Sequence, residues 1–418
     1  MAPDPRNLRK TYALPYLYRL PLCLNTPSLS LRKLQPQRLF TGNQLLGSDQ
    51  VLLVDDQGTI VDIVSADNAG EGIEQLSGWL SPAFVNAHCH LELSHLKGRV
   101  QEKTGLPGFV REIINSRDLN QEHCQEAMRA ADREMWEAGI QAVGDICNRI
   151  DSLQVKIESH ITYYNFIEVS GWLPQVADKR YRAALEIMQA FSQVPGKSSL
   201  VPHAPYSVST ELWQLLLPQF TRQAITIHNQ ESPAEQLLFE QGHGEWLKLY
   251  EELHINNENF LPTGNSSLQS IFAFLQNAAS LILVHNTYTT AADIEFAESR
   301  HPFLHWCLCP RANWYIEHTM PPVELLREHS CNIVLGTDSL ASNHSLSLLD
   351  ELKTLAAHFP AIPTEEMLTW ATSKGAAALQ LEDTLGKLTP GTRPGIIQID
   401  ALTPDEKINK ATRVTRWW

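Results

Sequence analysis

The chain has 418 residues, of which 43% are apolar and 19% are charged. These proportions are typical of a globular protein and exclude collagen-like, low-complexity and predominantly disordered chains. The formal charge is −14, from 33 basic and 47 acidic side chains, and so negative a surface disfavours nucleic acid and anionic membranes as partners.

The first residues predict neither a secretory signal nor a membrane anchor. Residues 1–24 are interrupted by Pro5, Pro15 and Pro21 and lack the apolar core of a signal peptide. No run in the chain reaches the roughly 18 apolar residues needed to cross a bilayer. Seven cysteines, an odd number without framework spacing, favour free thiols and a reducing compartment. We therefore expect a cytoplasmic protein.

Short apolar segments near both ends of the chain predict a small β domain. Residues 51–54 and 60–64, joined by a turn at 55–58, have the pattern of a β-hairpin. Residues 396–399 have the pattern of a further strand near the other end. We expect residues 12–77 and 385–418 to form this domain beside a larger domain of residues 78–384.

Eight short apolar runs alternate with amphipathic stretches in the middle of the chain. This alternation is typical of parallel βα units, and eight units predict an α/β fold with a TIM-like (β/α)8 barrel. Helical spacing is clearest at residues 124–139, 181–191, 210–217 and 292–300. The eight runs are residues 78–86, 142–147, 161–169, 199–202, 224–227, 281–284, 303–308 and 332–335.

The connection between the fifth and sixth runs, residues 232–280, is unusually long. It contains a helical pattern at residues 246–254 and a segment with Pro, Gly and Ser at residues 262–267. Loops that follow barrel strands lie on the active face, so this insertion could cover a substrate. Packing against a second copy of the chain is an equally good interpretation, and both remain open here.

Five of the eight runs lead directly into a His or an Asp. His88 and His90 alternate along an extended segment, so both imidazoles can reach one ion. His228, His285 and Asp338 follow the fifth, sixth and eighth runs. The C-terminal ends of barrel strands meet at one face, and imidazoles with one carboxylate suit zinc or ferrous iron. The sequence therefore predicts one divalent metal ion, with zinc preferred over iron.

Glu231 lies three residues after His228, at the start of the next turn. A carboxylate beside the ion, without ligating it, could take a proton from the attacking water and return it to the substrate. The alternative is a first-turn Glu that complements a helix dipole. Next to a predicted ligand, the catalytic role is the preferred interpretation.

Together these motifs resemble the amidohydrolase superfamily, specifically its mononuclear cytosine-deaminase-like branch, which includes chlorohydrolase-like enzymes and nucleoside deaminases. The resemblance extends from residues 82–88 to residues 386–400. It implies that one metal ion is bound by four ligands, which are His88, His90, His228 and Asp338.

The same resemblance implies roles for further residues around the ion. Glu231 would shuttle protons, while His285 and Asp338 would orient the attacking water. His203 lies in the fourth-strand motif, where similar deaminases place a substrate-contacting His, and this motif has no Lys that could favour a second ion.

The residues that we expect to contact the substrate are His203, Glu92, Tyr206, Ser339 and Asn343. Glu168, Trp172 and Asn313 also lie at or just after strand ends, and packing explains each of them more readily.

The predicted reaction is attack of water on an aminated N-heterocycle with release of ammonia. The segment 88–94 resembles aminodeoxyfutalosine deaminases, which favours a purine nucleoside-like substrate. The same residues could instead hydrolyse a cyclic amide or another C–N or C–Cl bond. A metal- or ligand-binding protein without activity is an alternative of another class, and Glu231 argues against it. The expected partner is a small molecule, and the resemblance allows a homodimer.

Overall fold

The computed structural model describes residues 31–116, 120–258 and 260–418. The expectations for residues 1–24, and the part of the small β domain that precedes residue 31, lie outside the described residues. Within the described ranges, no helix is long and apolar enough to cross a membrane.

From residue 31, where the described part of the chain begins, seven strands come before the barrel. The fourth and fifth are antiparallel neighbours with a bulge between Leu53 and Val54, which confirms the predicted hairpin. The strands are β1 (Leu31–Gln35), β2 (Arg38–Phe40), β3 (Leu45–Leu46), β4 (Gln50–Asp55), β5 (Ile60–Ser65), β6 (Ile73–Gln75) and β7 (Trp79–Pro82).

Eight buried strands follow in the central part of the chain, at the positions of the eight apolar runs. Their neighbours within each sheet are parallel, as expected for βα units. They are β8 (Phe84–Cys89), β9 (Ile140–Cys147), β10 (Thr162–Val169), β11 (Gly196–Pro202), β12 (Ala224–Asn229), β13 (Ser280–His285), β14 (Leu304–Leu308) and β15 (Ile333–Leu335).

These eight strands form two four-stranded sheets, in the orders β11-β10-β9-β8 and β12-β13-β14-β15. Backbone hydrogen bonds join the sheets at both seams. At one seam His228 N donates to His203 O at 3.0 Å, and at the other Thr337 N and Asp338 N donate to His88 O at 3.0 and 3.2 Å. The strands therefore close into the predicted barrel, and the seams lie at residues of the predicted site.

The helices lie between the strands, and the four clearest helical patterns are confirmed as α3, α5, α6 and α10. The helices are α1 (Ala66–Ala69), α2 (Gly105–Asn115), α3 (Gln121–Glu137), α4 (Leu153–Glu158), α5 (Ala177–Phe191), α6 (Thr210–Leu216), α7 (Pro233–Gln241), α8 (Glu245–Glu252), α9 (Ser267–Ile271), α10 (Ala291–Glu298), α11 (Pro310–Ile316), α12 (Val323–Glu328), α13 (Leu348–His358), α14 (Thr364–Trp370) and α15 (Ser373–Ala378).

Two further sheets lie outside the barrel, and one of them combines strands from both ends of the chain. The last strands, β16 (Ile396–Asp400) and β17 (Arg413–Arg416), belong to a sheet of order β17-β16-β7-β2-β3, and the other sheet has the order β5-β4-β1-β6. The apolar run at residues 78–86 thus forms two strands, because β7 pairs with β16 and β2 whereas β8 enters the barrel. The change of sheet comes after Pro82, whereas we expected the barrel domain to begin at residue 78.

Candidate metal centre and active site

Three imidazoles converge at the C-terminal ends of β8 and β12. His90 Nε2 lies 3.1 Å from His88 Nε2 and 3.2 Å from His228 Nε2. His228 Nδ1 donates to the carbonyl oxygen of His203 at 2.8 Å, so its Nε2 presents a lone pair to the other two rings. Ring nitrogens that face one another in this way cannot all be donors. A shared cation satisfies all three lone pairs, and the donor set therefore fits a metal ion.

The carboxylate of Asp338 faces the same point from the start of the loop after β15. Its Oδ1 lies 3.5 Å from His90 Nε2 and 3.7 Å from His88 Nε2, and its Oδ2 accepts a hydrogen bond from Ser342 Oγ at 2.5 Å. The backbone φ of Asp338 is +56°, and that of His285 is +75°. Few non-glycine residues adopt this left-handed region, and such conformations concentrate at functional sites.

The ring of His285 is the fourth imidazole of the cluster. One of its ligand atoms lies within 4.8 Å of ligand atoms of His88 and Asp338. Its Nδ1 donates to Asn313 Oδ1 at 3.0 Å, and the amide of Asn313 is in turn held by Thr287. Because Nδ1 carries the proton, Nε2 of His285 is free to accept a hydrogen bond within the site.

Burial keeps the imidazoles of His90, His228 and His285 neutral. It lowers the pKa of His90 to about 3, with a further contribution from His88, and lowers the pKa of His285 to about 4. It also lowers the pKa of His228 well below its usual value. Burial would raise the pKa of Asp338, but its interactions with His88 and His90 lower it below the usual range. Neutral imidazoles and an ionised carboxylate are the protonation states that a divalent ion requires.

Glu231 is buried beside this cluster, with its Oε1 3.6 Å from His285 Nε2. Burial, and then the charges of Asp338 and Glu235, raise the pKa of the Glu231 carboxyl well above its usual value. The two oxygens of Glu235 accept hydrogen bonds from Gln230 N at 3.0 Å and Glu231 N at 3.1 Å. Glu235 therefore fixes the backbone that carries Glu231. The sequence analysis missed Glu235, although its place four residues after Glu231 was an available signal.

Two of the predicted substrate contacts lie next to the metal centre. The ring centroid of His203 is 4.9 Å from that of His228 and 5.9 Å from that of Tyr206. Tyr206 stacks on Trp246 of the insertion at 3.9 Å, and its carbonyl oxygen accepts a hydrogen bond from Tyr250 OH at 2.5 Å. The insertion thus packs on the active face, which favours its role as a cover over the interpretation as a dimer contact.

Two other predicted contacts use their polar atoms within the loop after β15. The amide nitrogen of Asn343 donates to Thr337 O at 2.9 Å and to Glu351 Oε1 at 2.8 Å. Ser339 Oγ lies 3.2 Å from Ser342 Oγ. These hydrogen bonds hold the loop that carries Asp338. We had expected both side chains to contact the substrate directly. The substrate contact of both residues stays a prediction.

Glu92, just after the neighbouring strand β8, is engaged in a similar way. Its carboxylate accepts hydrogen bonds from Asn148 N at 3.1 Å and Arg149 N at 3.2 Å. Burial raises its pKa to about 8, although Lys156 opposes this shift. Glu92 therefore holds the loop after β9, and its contact with substrate also stays a prediction.

A buried ion pair, which the sequence analysis also missed, supports the segment after His90. Lys156 Nζ lies 2.6 Å from Asp145 Oδ2, and neither side chain is exposed to solvent. The other oxygen of Asp145 accepts a hydrogen bond from Leu91 N at 2.8 Å. The pair therefore fixes the chain directly after a predicted metal ligand. An Asp within the apolar run at residues 142–147 was the available signal.

Comparison with known proteins agrees with this fold. Residues 79–416 match the model of the amidohydrolase family. An adenosine deaminase of Helicobacter pylori is 26% identical over 310 residues, which cover 73% of this chain and 75% of that protein.

Solved structures give the same picture of the architecture. An aminofutalosine deaminase of Helicobacter pylori in complex with methylthio-coformycin has a TM-score of 0.76 at 22% identity, covering 90% of this chain and 94% of that one. An adenosine deaminase of Xanthomonas campestris with bound zinc has a TM-score of 0.66 at 20% identity. The match covers 88% of this chain and 84% of that one. These similarities show a shared fold.

Proposed function

This chain belongs to the amidohydrolase family, and from that premise we propose that it is a metal-dependent hydrolytic deaminase of an aminated N-heterocycle, with a purine nucleoside-like substrate. One observation carries the proposal: Glu231 lies 3.6 Å from His285, beside a cluster of imidazole nitrogens that fits a metal ion. The similarity to an adenosine deaminase at 26% identity supports the same class of substrate.

The proposed ligands of a single divalent ion are His88, His90, His228 and Asp338. Neutral imidazoles with one carboxylate suit zinc first and ferrous iron second, and the similar protein of Xanthomonas campestris has bound zinc. When bound, such an ion lowers the pKa of water from 15.7 to about 7 in well-tuned sites.

The residues of the chain supply proton transfer and orientation. Glu231 takes a proton from the attacking water and delivers it to the ring nitrogen beside the attacked carbon, since attack moves electron density to that nitrogen. The raised pKa of Glu231 favours the protonated form that this delivery needs. Asp338 and the free Nε2 of His285 hold the water in line. The remaining hydroxyl proton of the adduct passes to the amino group, and as the C=O bond forms the C–N bond breaks and ammonia leaves.

Compartment and assembly belong to the same proposal. The six cysteines within the described residues are all free thiols, as is usual in a reducing compartment, and this supports a cytoplasmic location. The proposed partner is a small-molecule substrate. A homodimer stays a prediction from the resemblance.

Release of ammonia from the metal-loaded protein tests the proposed function. The panel comprises aminated purines and their nucleosides, pterins, pyrimidines and triazines, with the protein stripped of metal as the control. We expect ammonia from purine nucleosides and from none of the stripped samples. Ring opening of a cyclic amide, release of chloride, or binding without turnover would each contradict the proposal in favour of one alternative.

A further inference from the structure

Asp293, in the first turn of α10, is a buried carboxylate that the proposed reaction does not use. Only 1% of its surface is exposed. Its Oδ2 accepts hydrogen bonds from Thr290 Oγ1 at 2.7 Å and from Gln230 Nε2 at 2.9 Å. Its Oδ1 accepts from Ser266 Oγ at 2.5 Å and from Gln269 Nε2 at 3.1 Å. The contact with Thr290 belongs to the capping box of α10, whereas the other three bonds reach outside the helix and need another explanation.

Gln230 is the residue directly before Glu231, and its backbone is left-handed, with a φ of +45°. Such a conformation is costly for a residue other than glycine and persists only where its surroundings hold it. The carbonyl oxygen of Gln230 accepts from Tyr288 N at 3.0 Å, and its side-chain oxygen accepts from Thr289 Oγ1 at 2.7 Å. Its side-chain nitrogen donates to Asp293. The carboxylate therefore completes the contacts that fix the turn into Glu231.

The other oxygen of Asp293 binds the insertion. Ser266 is the N-cap of α9, and Gln269 lies in its first turn, so both belong to residues 232–280. One side chain thus joins the insertion to the turn that carries Glu231. A carboxylate suits this position because its four side-chain partners all donate, whereas an amide would turn one acceptor into a donor.

We propose that Asp293 is a positioning residue for the proton transfer by Glu231. It holds Gln230 in the left-handed conformation, and it thereby holds Glu231 Oε1 at 3.6 Å from His285 Nε2. Asp293 acts through Glu231 and is itself neither a proposed metal ligand nor a proton carrier. This inference rests on the proposed function, because it concerns the proton transfer that the reaction requires. The alternative is that Asp293 only caps α10.

A double-mutant cycle with Glu231→Gln separates these two roles. Ammonia release is measured with adenosine, or with the compound of the panel that reacts fastest. In the wild-type background, Asp293→Asn should lower kcat about 10-fold or more and leave KM within about 3-fold, since a small displacement of a reacting group is costly. In the Glu231→Gln background, where the proton shuttle is already lost, it should lower kcat by less than about 2-fold. An equal fall in both backgrounds, or no fall in the wild-type background, would overturn the inference.

Thr290→Ala is the matched control, because it removes the N-cap of α10 and leaves Gln230 bound to Asp293. Thr290 Oγ1 accepts from Asp293 N at 3.3 Å, and the loss of this cap should lower the midpoint of thermal unfolding. We expect kcat to stay within about 2-fold. A loss of kcat as large as that of Asp293→Asn would show that capping alone matters. Glu186→Gln, on the exposed face of α5, should change neither kcat nor the midpoint.

Hydrogen exchange of the backbone amides of residues 229–232 tests the same hold without turnover. Exchange should become about 10-fold faster in Asp293→Asn, since a hydrogen bond to a charged group is lost, and should keep the wild-type rate in Thr290→Ala. Unchanged exchange in Asp293→Asn would contradict the inference. If that variant fails to fold, Gln230→Met removes the same hydrogen bond from its other end and should show the same loss of kcat and the same faster exchange.

Failure of the proposed function would look different. Absence of ammonia from every compound of the panel with the wild-type protein, or full turnover by Glu231→Gln, would contradict the proposed function itself. Turnover that depends on Glu231 but not on Asp293 would contradict only the positioning role.

Discussion

At the residue scale, a hydrogen bond on the far side of the ring decides which nitrogen of His228 and of His285 faces the candidate metal centre. His228 gives its Nδ1 proton to His203 O at 2.8 Å, and His285 gives its Nδ1 proton to Asn313 Oδ1 at 3.0 Å. Both rings therefore turn Nε2 towards the site. Such bonds fix the tautomer and the orientation of metal-ligating histidines.

The sequence predicted the type and approximate place of these residues, but not the groups that orient them. His88 and His90 could be paired because alternation along a strand is a local property of the chain. The contact of His285 with Asn313 joins residues 28 positions apart, and that of Glu231 with Glu235 depends on how the first turn of α7 is placed. The contact of His285 arises only when the strand ends meet, so a linear pattern does not reveal it, whereas the spacing of Glu231 and Glu235 was available in the sequence.

Glu231→Gln tests the proton shuttle. Glutamine keeps the size of the side chain but cannot accept and return a proton, so turnover should fall by about 10²- to 10⁴-fold. The metal content should stay unchanged, because Glu231 is not a proposed ligand. Initial rates of ammonia release and elemental analysis measure the two effects, and Glu186→Gln is the matched control. Turnover within a few-fold of wild type would show that another group carries the proton.

At the scale of elements, buried parallel strands were predictable because they read as continuous apolar runs. The run at residues 78–86 shows that hydropathy does not predict to which sheet a strand belongs. Its apolar residues belong to β7 in one sheet and to β8 in another, and hydropathy does not indicate which strands will become neighbours. The insertion could likewise be located from its length, whereas its packing on Tyr206 required the structure.

The buried pair of Lys156 and Asp145 gives a prediction at this scale, since it links α4 and β9 to the segment after His90. Lys156→Met should lower the free energy of unfolding by about 3 to 5 kcal/mol, because Asp145 is left charged and unpaired in the interior. The double variant Lys156→Met, Asp145→Asn should recover much of that loss, since the asparagine oxygen can still accept from Leu91 N.

Urea denaturation of the wild-type protein and both variants measures these free energies. Arg182→Met, which removes an exposed cation that pairs with Asp178, is the control and should have little effect. If the double variant were no more stable than Lys156→Met, the cost would come from lost packing around the lysine rather than from an unpaired charge.

At the scale of the whole molecule, the closed barrel brings together proposed ligands that lie far apart in sequence. His88 O accepts hydrogen bonds from Thr337 N and Asp338 N, so the seam between β8 and β15 also sets the distance between two proposed ligands. The barrel and its active face could be predicted from the eight apolar runs and the polar residues that follow them. The substrate could not, because the side chains that meet at that face become neighbours only in the folded chain.

Elemental analysis of the purified, metal-loaded protein tests the central claim most directly. We expect one divalent ion per wild-type chain, and we expect His228→Ala and Asp338→Ala each to release most of it, because each removes a ligand to the same ion. His243→Ala, at an exposed position, is the control and should retain the ion. Full occupancy in both ligand variants, or two ions per wild-type chain, would contradict a single metal centre at this face of the barrel.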